Sequence, residues 1–306
     1  MVPNDELSLS FKAIPGGCPF NTAIAAARLG SVVQFLGCVG KDFLGDSLFE
    51  AFERSTVDTS LVVRCDRPTT LAFVKRSCFG DARYAFYSEG AADRSFSAGD
   101  LPAGFRGDAR FLMTGSISLV QEPIASTIEA LILRESGRLL VSLDPNIRPT
   151  LISDPESFRA RLMRCVTLAA VVKVSSEDLE WLFPNDPLSE RAMRFIKAGA
   201  ELVVETRGGE GAVAWTHHAT ASAPAFKVDI ADTIGAGDTF HAALLYWLDE
   251  RYIARREELA TLGKAALYDA LVFAQAAAAL DCTKHGAEPP KMEELRAFLL
   301  SQHSHL

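Results

Sequence analysis

The sequence lacks the cysteine and histidine patterns of a metal site or a disulfide framework. Its six cysteines are scattered, with no pair in C-x-x-C spacing, so neither a zinc site nor a set of disulfides is indicated. The histidines give no metal signal, because His217 and His218 lie in a predicted turn and His303 and His305 in a predicted tail. These absences favour a reducing compartment, and we expect a cytoplasmic protein.

Signals for a membrane, for export and for nucleic acid are missing as well. The longest apolar runs, such as residues 242–248, are far shorter than the roughly 20 residues that span a bilayer. The first residues, MVPNDE, lack the basic and apolar stretches of a signal peptide. The formal net charge of -8 argues against nucleic-acid or anionic-membrane partners, which call for a basic face. The P-loop motif G-x-x-x-x-G-K-[ST] does not occur, which excludes that class of phosphate site.

The chain does contain a regular alternation of short apolar strands and amphipathic helices. A helix at 20–29, ended by Gly30, is followed by a strand at 32–36 and a helix at 42–54. Further along, each predicted strand follows a predicted helix, with strands at 139–143, 171–174 and 202–205 and helices at 123–135, 155–168 and 188–198. This pattern predicts an α/β fold with a doubly wound, mainly parallel sheet, whose ligands lie at the carboxyl ends of the strands.

One stretch interrupts that alternation. Residues 69–76 and 83–88 read as two strands without a helix between them, and Gly80-Asp81 supplies turn chemistry. This hairpin is a candidate lid, and residues 7–13 are expected to pair with it. We therefore predict an α/β core of 17–65 and 95–306 and a discontinuous β-lid of 5–16 and 66–94. The lid is also a candidate contact for a homodimer.

The most informative segment runs from 232 to 240 and reads DTIGAGDTF. A helix is predicted to follow, from about 239 to 250, so that Gly235, Ala236 and Gly237 stand at its N-terminus. Free N–H groups and the helix dipole favour an anion there, and small residues let phosphate approach the backbone. Asp238 would lie beside that phosphate, where accepting the proton of an attacking hydroxyl is a task suited to a carboxylate. The alternative is an ordinary aspartate cap on a glycine-rich turn.

This segment resembles the C-terminal signature of the ribokinase-type, or PfkB, carbohydrate kinases. The N-terminal signature of that family is present too, in residues 16–21 (GGCPFN), 25–30 (AAARLG) and 37–45 (GCVGKDFLG). Within the family the chain is most similar to bacterial fructokinases, through residues 86–94, 144–149, 173–182 and 206–211. The resemblance covers nearly the whole chain and implies a ribokinase-like fold with a small β-lid.

The resemblance implies that Gly17 and Asn21 line a sugar pocket. An asparagine amide can both donate and accept hydrogen bonds to a polyol, although a helix entry with Asn21 on a solvated face is the alternative. Arg148, which follows Asp144 and Asn146 at the end of a strand, is expected to stabilise charge on the transferred phosphoryl group. Its alternative is a surface arginine on a proline-bounded loop.

The nucleotide and ion ligands are likewise implied by the resemblance. Cofactor-binding residues are expected at Lys173, Thr206, Gly208, Gly211, Gly235, Gly237 and Gly286, with the adenine wall from 274–279 and 282–287. Family members often place a magnesium-organising glutamate after the strand that carries Lys173. Here either Glu177 or Asp178 would organise Mg²⁺ through water, because the family's Asn-x-x-Glu is absent. Asp232 is the expected contact for a monovalent cation such as K⁺.

These assignments predict an ATP-dependent kinase that transfers the γ-phosphate to a primary hydroxyl, turning D-fructose into fructose 6-phosphate. Asp238 would be the base, and Gly235, Ala236, Gly237 and Arg148 would hold the developing charge. The open alternatives are another acceptor, namely 2-keto-3-deoxygluconate, ribose or a nucleoside, and a non-catalytic, sugar-sensing relative.

Fructokinase-like chains normally open with an apolar strand that ends in an aspartate shortly before a Val-Pro-like pair. Here Val2-Pro3 directly follows Met1, and Asp5 and Glu6 lie beyond the expected position of that aspartate. Burying about five apolar side chains contributes roughly 7–15 kcal/mol. We therefore expect that the natural protein begins upstream of Met1.

Overall fold

A computed structural model describes residues 11–76 and 82–303 of the chain. Strands and helices alternate along most of that length. In chain order they are α1 (Cys18–Leu29), β1 (Gln34–Gly40), α2 (Phe43–Arg54), β2 (Asp58–Cys65), β3 (Leu71–Arg76), β4 (Ala82–Tyr87), β5 (Phe111–Gly115), α3 (Ile124–Glu135), β6 (Leu140–Asp144), α4 (Pro155–Leu168), β7 (Val171–Ser175), α5 (Ser176–Leu182), α6 (Leu188–Arg191), α7 (Met193–Ala198), β8 (Leu202–Thr206), β9 (Ala212–Trp215), β10 (Thr220–Ala223), α8 (Ala236–Asp249), α9 (Arg256–Ala260), α10 (Lys264–Cys282) and α11 (Met292–His303).

The main sheet has six strands in the order β10-β9-β8-β7-β6-β5. Strands β5 to β8 are parallel, and β9 and β10 continue the sheet as antiparallel strands. Parallel neighbours need crossover connections, which the intervening helices supply. The predicted doubly wound, mainly parallel sheet is confirmed, and the carboxyl ends of β6, β7 and β8 bring Asp144, Ser175 and Thr206 to one edge.

Both faces of this sheet are covered. Apolar residues of α8 and α10 pack on one face, and those of α3, α4 and α7 pack on the other. Every residue of β6 is buried as a result, as expected for a parallel strand enclosed by helices. Among the described helices, α10 is long and apolar enough to cross a membrane by length and composition. It packs against α8, β9 and β10, which is the environment of a core helix.

A second, two-stranded sheet stands beside the first. In it β1 pairs with β2 in parallel, and a cluster that includes Phe20, Phe35 and Phe52 joins these strands to α1 and α2. Within residues 11–76 and 82–303, no ladder connects β1 to β5. The two sheets are therefore joined by helix packing, chiefly of α1 against α8, along a boundary that we call the seam.

The predicted hairpin is confirmed. Strands β3 and β4 pair antiparallel from Leu71 opposite Tyr87 to Arg76 opposite Ala82. The turn residues 77–81 and most of the segment 7–13 lie outside the described residues, whereas Phe11 packs its ring edge-to-face against Phe73 of β3 at 4.8 Å. The division into core and lid stays a prediction.

Candidate active site

The Gly-Ala-Gly run forms the N-terminus of α8, as the sequence predicts. Gly235 is the N-cap with φ 86°, a left-handed conformation that favours glycine. A Cβ added there would lie 2.5 Å from the Cβ of Ala287, so only glycine fits. The amides of Gly237 and Asp238 belong to the first helical turn, where backbone N–H groups have no intrahelical partner. This turn therefore offers N–H groups and the positive end of a helix dipole to an anion.

Asp238 lies directly behind that turn and is almost completely buried, with 6% of its surface exposed. Asn21 of α1 donates its Nδ2–H to Oδ2 of Asp238 at 2.8 Å, and Asn146 donates to Oδ1 at 3.4 Å. Burial raises the pKa of Asp238 to about 6, although the hydrogen bond from Asn21 opposes this and the charge of Asp144 adds to it. The carboxyl is therefore mostly ionised at neutral pH and readily protonated just below it.

A buried ion pair lies next to the glycine turn. Nζ of Lys173 lies 3.0 Å from Oδ2 of Asp144, and both side chains are buried. Burial lowers the pKa of Lys173, but the nearby carboxylates of Asp144 and Asp238 outweigh it and the net shift is upward. A Cβ added at Gly237 would be 3.0 Å from the same Nζ. Lys173, predicted as a nucleotide ligand, thus places a positive charge against the glycine turn.

The loop after β6 is held in an unusual shape. Asn146 has φ 37°, and the next amide, of Ile147, donates to Oδ1 of Asp178 at 2.9 Å. Arg148 lines the cavity and donates to the carbonyls of Asn146 and Ile147. Asp178 is thus already engaged with the backbone, whereas Glu177 is exposed at the rim of the same cavity.

The sugar-side residues meet at the start of α1. Gly17, with φ 124°, is the N-cap of that helix and lines the cavity. Cys18 follows it, and its Sγ lies within 4.8 Å of carboxylate oxygens of both Asp144 and Asp238. Burial, followed by the charges of these carboxylates, raises the pKa of the Cys18 thiol well above its usual value. The thiol is therefore a neutral wall of the pocket.

The residues predicted for the nucleotide separate into two groups. Thr206 and Gly286 line the cavity. Gly208 and Gly211 do not belong to its described lining and instead form the tight connection from β8 to β9, where Gly211 accepts from the amide of Arg207. A Cβ at Gly211 would lie 2.1 Å from the carbonyl oxygen of Ala223, so this glycine is explained by a close backbone approach.

Asp232 ties two loops together. Its Oδ1 accepts from the amide of Ile234 at 2.8 Å and its Oδ2 from the amide of Gly286 at 3.0 Å. Nearby Asp281 is 1% exposed, and its carboxylate has only long or poorly aligned contacts, with the hydroxyl of Thr239 and the amide of Glu288. Burial raises the pKa of Asp281 to about 7. Two buried carboxylates thus flank the loop that packs against Gly235.

Three features of the site have no signal in the sequence motifs. The Asp144–Lys173 pair joins two different strands, and no local motif marks it. His241 is fully buried beside Asp144, and its Nε2 lies 2.6 Å from Ser142 Oγ. Burial lowers the pKa of His241 to about 4, so it is neutral. Its i+3 spacing from Asp238 was the available signal.

The third of these features is Asp42, which bonds to the chain just before the hairpin. It caps α2 through the amide of Gly45 and accepts from both the amide and the hydroxyl of Thr69. Burial raises its pKa, but these hydrogen bonds outweigh that effect and the net shift is downward. Asp42 therefore stays ionised and connects α2 to the chain that enters β3.

Asn21, Arg148, Lys173 and Asp238 line one cavity of about 2150 Å³, larger than the roughly 300–1,000 Å³ of most small-molecule sites. It is lined by the start of α1, the N-terminus of α8, the ends of β6 to β8 and part of the hairpin. It also extends into the seam, where residues of β1 and β5 line it. The volume of the cavity therefore includes space in the seam as well as the space at the glycine turn.

Comparison with known proteins identifies the family. The family model described as pfkB family carbohydrate kinase matches residues 3–294. A curated fructokinase of Rhizobium leguminosarum bv. trifolii is 40% identical over 87% of this chain and 82% of its own. A crystal structure of fructokinase with bound ATP from Xylella fastidiosa aligns with TM-score 0.84 at 30% identity, covering 94% of this chain and 91% of its own. A fructokinase of Vibrio cholerae O395 in a fructose, ADP and calcium ion bound form aligns with TM-score 0.80 at 30% identity, over 93% of this chain and 91% of its own. The chain thus belongs to the pfkB family of carbohydrate kinases.

Proposed function

We propose that the chain transfers the γ-phosphate of ATP to the 6-hydroxyl of D-fructose, giving fructose 6-phosphate and ADP. The observation that carries this proposal is the buried carboxylate of Asp238, held by Asn21 behind the glycine turn of α8. The substrate is supported by the relatives, since one is named a fructokinase at 40% identity and another holds fructose and ADP.

In the proposed reaction Asp238 is the general base. Its pKa of about 6 leaves it ionised at neutral pH and close enough in basicity to accept the proton of a hydroxyl as that oxygen attacks. Asn21 fixes Oδ2 of the Asp238 carboxylate by its hydrogen bond. The remaining lone pairs of the carboxylate would then face the sugar hydroxyl. The oxygen–phosphorus bond forms in line with the bond that releases ADP, and the proton passes to Asp238.

Two sets of groups would stabilise the negative charge that develops on the transferred phosphoryl group. The amides of Gly237 and Asp238 in the first turn of α8 would donate to the transferred group, and the ammonium of Lys173 lies beside Gly237. Arg148 stands on the cavity wall on a loop that Asp178 fixes. Prearranged donors of this kind need no reorganisation during the reaction, which is why they favour the transition state.

Two ions are part of the proposal. Mg²⁺ neutralises phosphate oxygens in phosphoryl transfer, and Glu177 is the residue we propose to hold it through water, because Asp178 is bonded to Ile147. The buried carboxylates of Asp281 and Asp232, which flank the loop that packs against Gly235, fit a monovalent cation such as K⁺. A related fructokinase from Vibrio cholerae was crystallised with a potassium ion.

We further propose that the hairpin of β3 and β4 is a lid that excludes water, which would otherwise compete with the sugar as acceptor. The core would then be residues 17–65 and 95–306, with 5–16 and 66–94 as the lid, and the hairpin would be the contact of a homodimer. Residues of the hairpin line the cavity, in keeping with such a role. The thiols of the described residues are free, in keeping with a cytoplasmic location.

A nucleoside acceptor is the second candidate. The structure of an aminoimidazole riboside kinase from Salmonella enterica aligns with TM-score 0.83 at 25% identity, so the same fold accepts a ribosyl group in a relative. The acceptors 2-keto-3-deoxygluconate and ribose would use the same base. A sugar-sensing role without catalysis is disfavoured by the ordered contacts of Asp238.

A coupled assay of ADP release over a panel of acceptors tests the proposal. The panel is D-fructose, ribose, 2-keto-3-deoxygluconate and a purine riboside, each with Mg-ATP and KCl. We expect the highest kcat/KM with fructose and a 6-phosphate product by NMR. A higher kcat/KM for another acceptor would replace fructose, and ADP release independent of any acceptor would contradict kinase function.

A further inference from the structure

Two thiols meet where the hairpin leaves the core. Cys38 lies in β1 and Cys65 ends β2, and their Sγ atoms are 2.9 Å apart. Cys38 is opposite Val63 in the parallel ladder, so Cys65 stands two residues further along on the same face. The separation is only about 0.9 Å longer than an S–S bond of roughly 2.05 Å. Because the two residues are diagonal rather than directly opposite in the ladder, a spacing of about 7–8 Å between Cα atoms, closure needs a small approach of the two strand ends as well as rotation of the side chains.

The two cysteines lie where the chain enters the hairpin, so a bond between them would restrain it. Cys65 is the last residue of β2, and the chain then runs through Asp66 and Arg67 into the hairpin. Ser95, on the segment that returns from the hairpin, places its Oγ 3.9 Å from both sulfurs. The entry, the exit and the core strand β1 thus meet at one point.

We propose that Cys38 and Cys65 are a redox modification site, at which a reversible disulfide ties the entry of the hairpin to the core strand. Its kinetic effect, slower opening and closing of the hairpin, rests on the proposed role of the hairpin as a lid. Intracellular disulfides are characteristically transient and redox-sensing, which suits a pair that the described structure keeps as free thiols.

The chemistry requires a small disulfide, such as glutathione disulfide, as oxidant. Cys65 is partly exposed and attacks one sulfur of that disulfide as a thiolate, releasing one small thiolate. Cys38 then loses its proton and attacks the sulfur of Cys65, releasing the second small thiolate. Two protein thiols lose two electrons and two protons, and the small disulfide gains them as two thiols.

The environment of the pair sets the order and the rate of these steps. Cys38 is buried, and burial, followed by the neighbouring thiol of Cys65, raises its pKa to about 12. Thiolate is the reactive form, so the second step should be slow at neutral pH and faster at higher pH. We therefore expect a mixed disulfide on Cys65 to precede the internal disulfide.

The test is oxidation of the full chain with glutathione disulfide, quenching with N-ethylmaleimide and mass spectrometry of the unreduced digest. We expect a Cys38–Cys65 cross-linked peptide that dithiothreitol removes and that forms faster at pH 8.5 than at pH 7. Cys65→Ser should abolish it, and the matched variant Cys282→Ser should retain it. A persistent mixed disulfide on Cys65, or cross-links only to other cysteines, would overturn the proposal.

The kinetic readout uses the same oxidised samples. We expect kcat of the wild type to fall by about 3–10-fold on oxidation and to recover with dithiothreitol, because lid movement limits many enzymes of this kind. Oxidant-treated Cys65→Ser should keep the kcat that it had before treatment. A cross-link without a change in kcat would overturn the regulatory role. If the chain had no kinase activity, the cross-linking result would still decide the modification site.

Discussion

Asp238 shows how single residues tune this site. Its carboxyl is taken out of water, which favours the protonated form, and is then partly returned to the ionised form by the amide of Asn21 and the charge of Lys173. The balance leaves its pKa at about 6, near the value that suits a base working at neutral pH. Function at this position thus depends on neighbours contributed by α1 and β7.

The first prediction concerns the base itself. Asp238→Asn should lower kcat by about 10²–10⁴-fold, because the amide cannot accept the proton of the hydroxyl. Binding of Mg-ATP should persist, seen as an increase in melting temperature on adding the nucleotide. Asp269→Asn, at an exposed position of α10, is the control. A variant at Asp238 that keeps more than about a tenth of kcat would exclude the role of base.

The pH dependence gives a second prediction. Since the ionised form of Asp238 is the active one, kcat/KM should rise with pH and level off above a midpoint of about 6. Asn21→Ala removes the hydrogen bond that lowers the pKa of Asp238, so the midpoint should move to higher pH. The full pH profile of kcat/KM for both proteins is the measurement. An unchanged midpoint would mean that another group controls the profile.

The third prediction concerns Asp281 and stability. Its folded-state pKa of about 7 lies above the usual aspartate value of 3.8, so protonation favours the folded state. That contribution is complete below about pH 4 and is lost as the pH rises through 7. Relative to the wild type, Asp281→Asn should therefore become more stable as the pH increases from 5 to 8.

Melting temperatures in potassium-free buffer give that comparison. A difference between the two proteins that stays constant from pH 5 to pH 8 would refute the assignment. Repeating the series with KCl tests the proposed cation, which should stabilise the wild type more than the variant at pH 8.

At the scale of elements, α8 is the part on which the proposed chemistry depends most. Its N-terminus needs a left-handed residue at Gly235 and a residue without a side chain at Gly237, where a Cβ would lie 3.0 Å from Nζ of Lys173. The same helix carries Asp238 in its first turn and then buries Phe240 and Leu244 in the core. One helix therefore joins the anion-binding turn, the base and the packing that holds them in place.

Gly237→Val should remove phosphate binding without unfolding the protein. The added Cβ would lie 3.0 Å from Nζ of Lys173, so the valine side chain would displace the ammonium group that we propose to stabilise the bound phosphate. We expect loss of activity and of the stabilisation by Mg-ATP, measured as melting temperatures with and without the nucleotide. Gly263→Val makes the same change at the N-cap of α10, where a Cβ meets open space. Equal stabilisation of Gly237→Val and wild type would contradict the prediction.

Local sequence signals predicted the elements better than their limits. Helix α4 has the predicted bounds because Asp154 caps it and a proline starts it. The predicted helix at 188–198 is two helices, α6 and α7, and Arg191, the last residue of α6, donates back to the carbonyl of Asp186. The predicted strand at 32–36 instead spans Gln34–Gly40. Such differences arise from tertiary contacts that periodicity does not contain.

The candidate site divides in the same way. Motif residues close in sequence, such as Gly235, Gly237 and Asp238, could be found because one helix start displays them all. The pair of Lys173 and Asp144 could not, because it forms only when β6 and β7 lie side by side. Gly211 shows that a glycine in a family motif can also be required by a close backbone approach, here to Ala223, and its role toward the nucleotide stays a prediction.

Across residues 11–76 and 82–303 taken as a whole, the seam divides the site. Asn21 belongs to the side of α1 and β1, and Asp238 belongs to the side of the six-stranded sheet, so their hydrogen bond crosses the boundary. A sugar that contacts both would bind across it. We expect fructose to slow hydrogen exchange of amides in β1 and α1 more than in β6, measured by mass spectrometry. Equal slowing of exchange in β1, α1 and β6 would contradict the prediction that the sugar binds across the seam.

The division also has a mechanical consequence. A continuous sheet is stiff because hydrogen bonds join each strand to the next, whereas side-chain packing between α1 and α8 can yield by small slips of one surface over another. The distance from Asn21 to the base is therefore set by the softer kind of joint. Substitutions far from the cavity that loosen the packing of α1 on α8 would let Asn21 move relative to Asp238. The sugar and the base would then be misaligned, although every side chain of the site is still present.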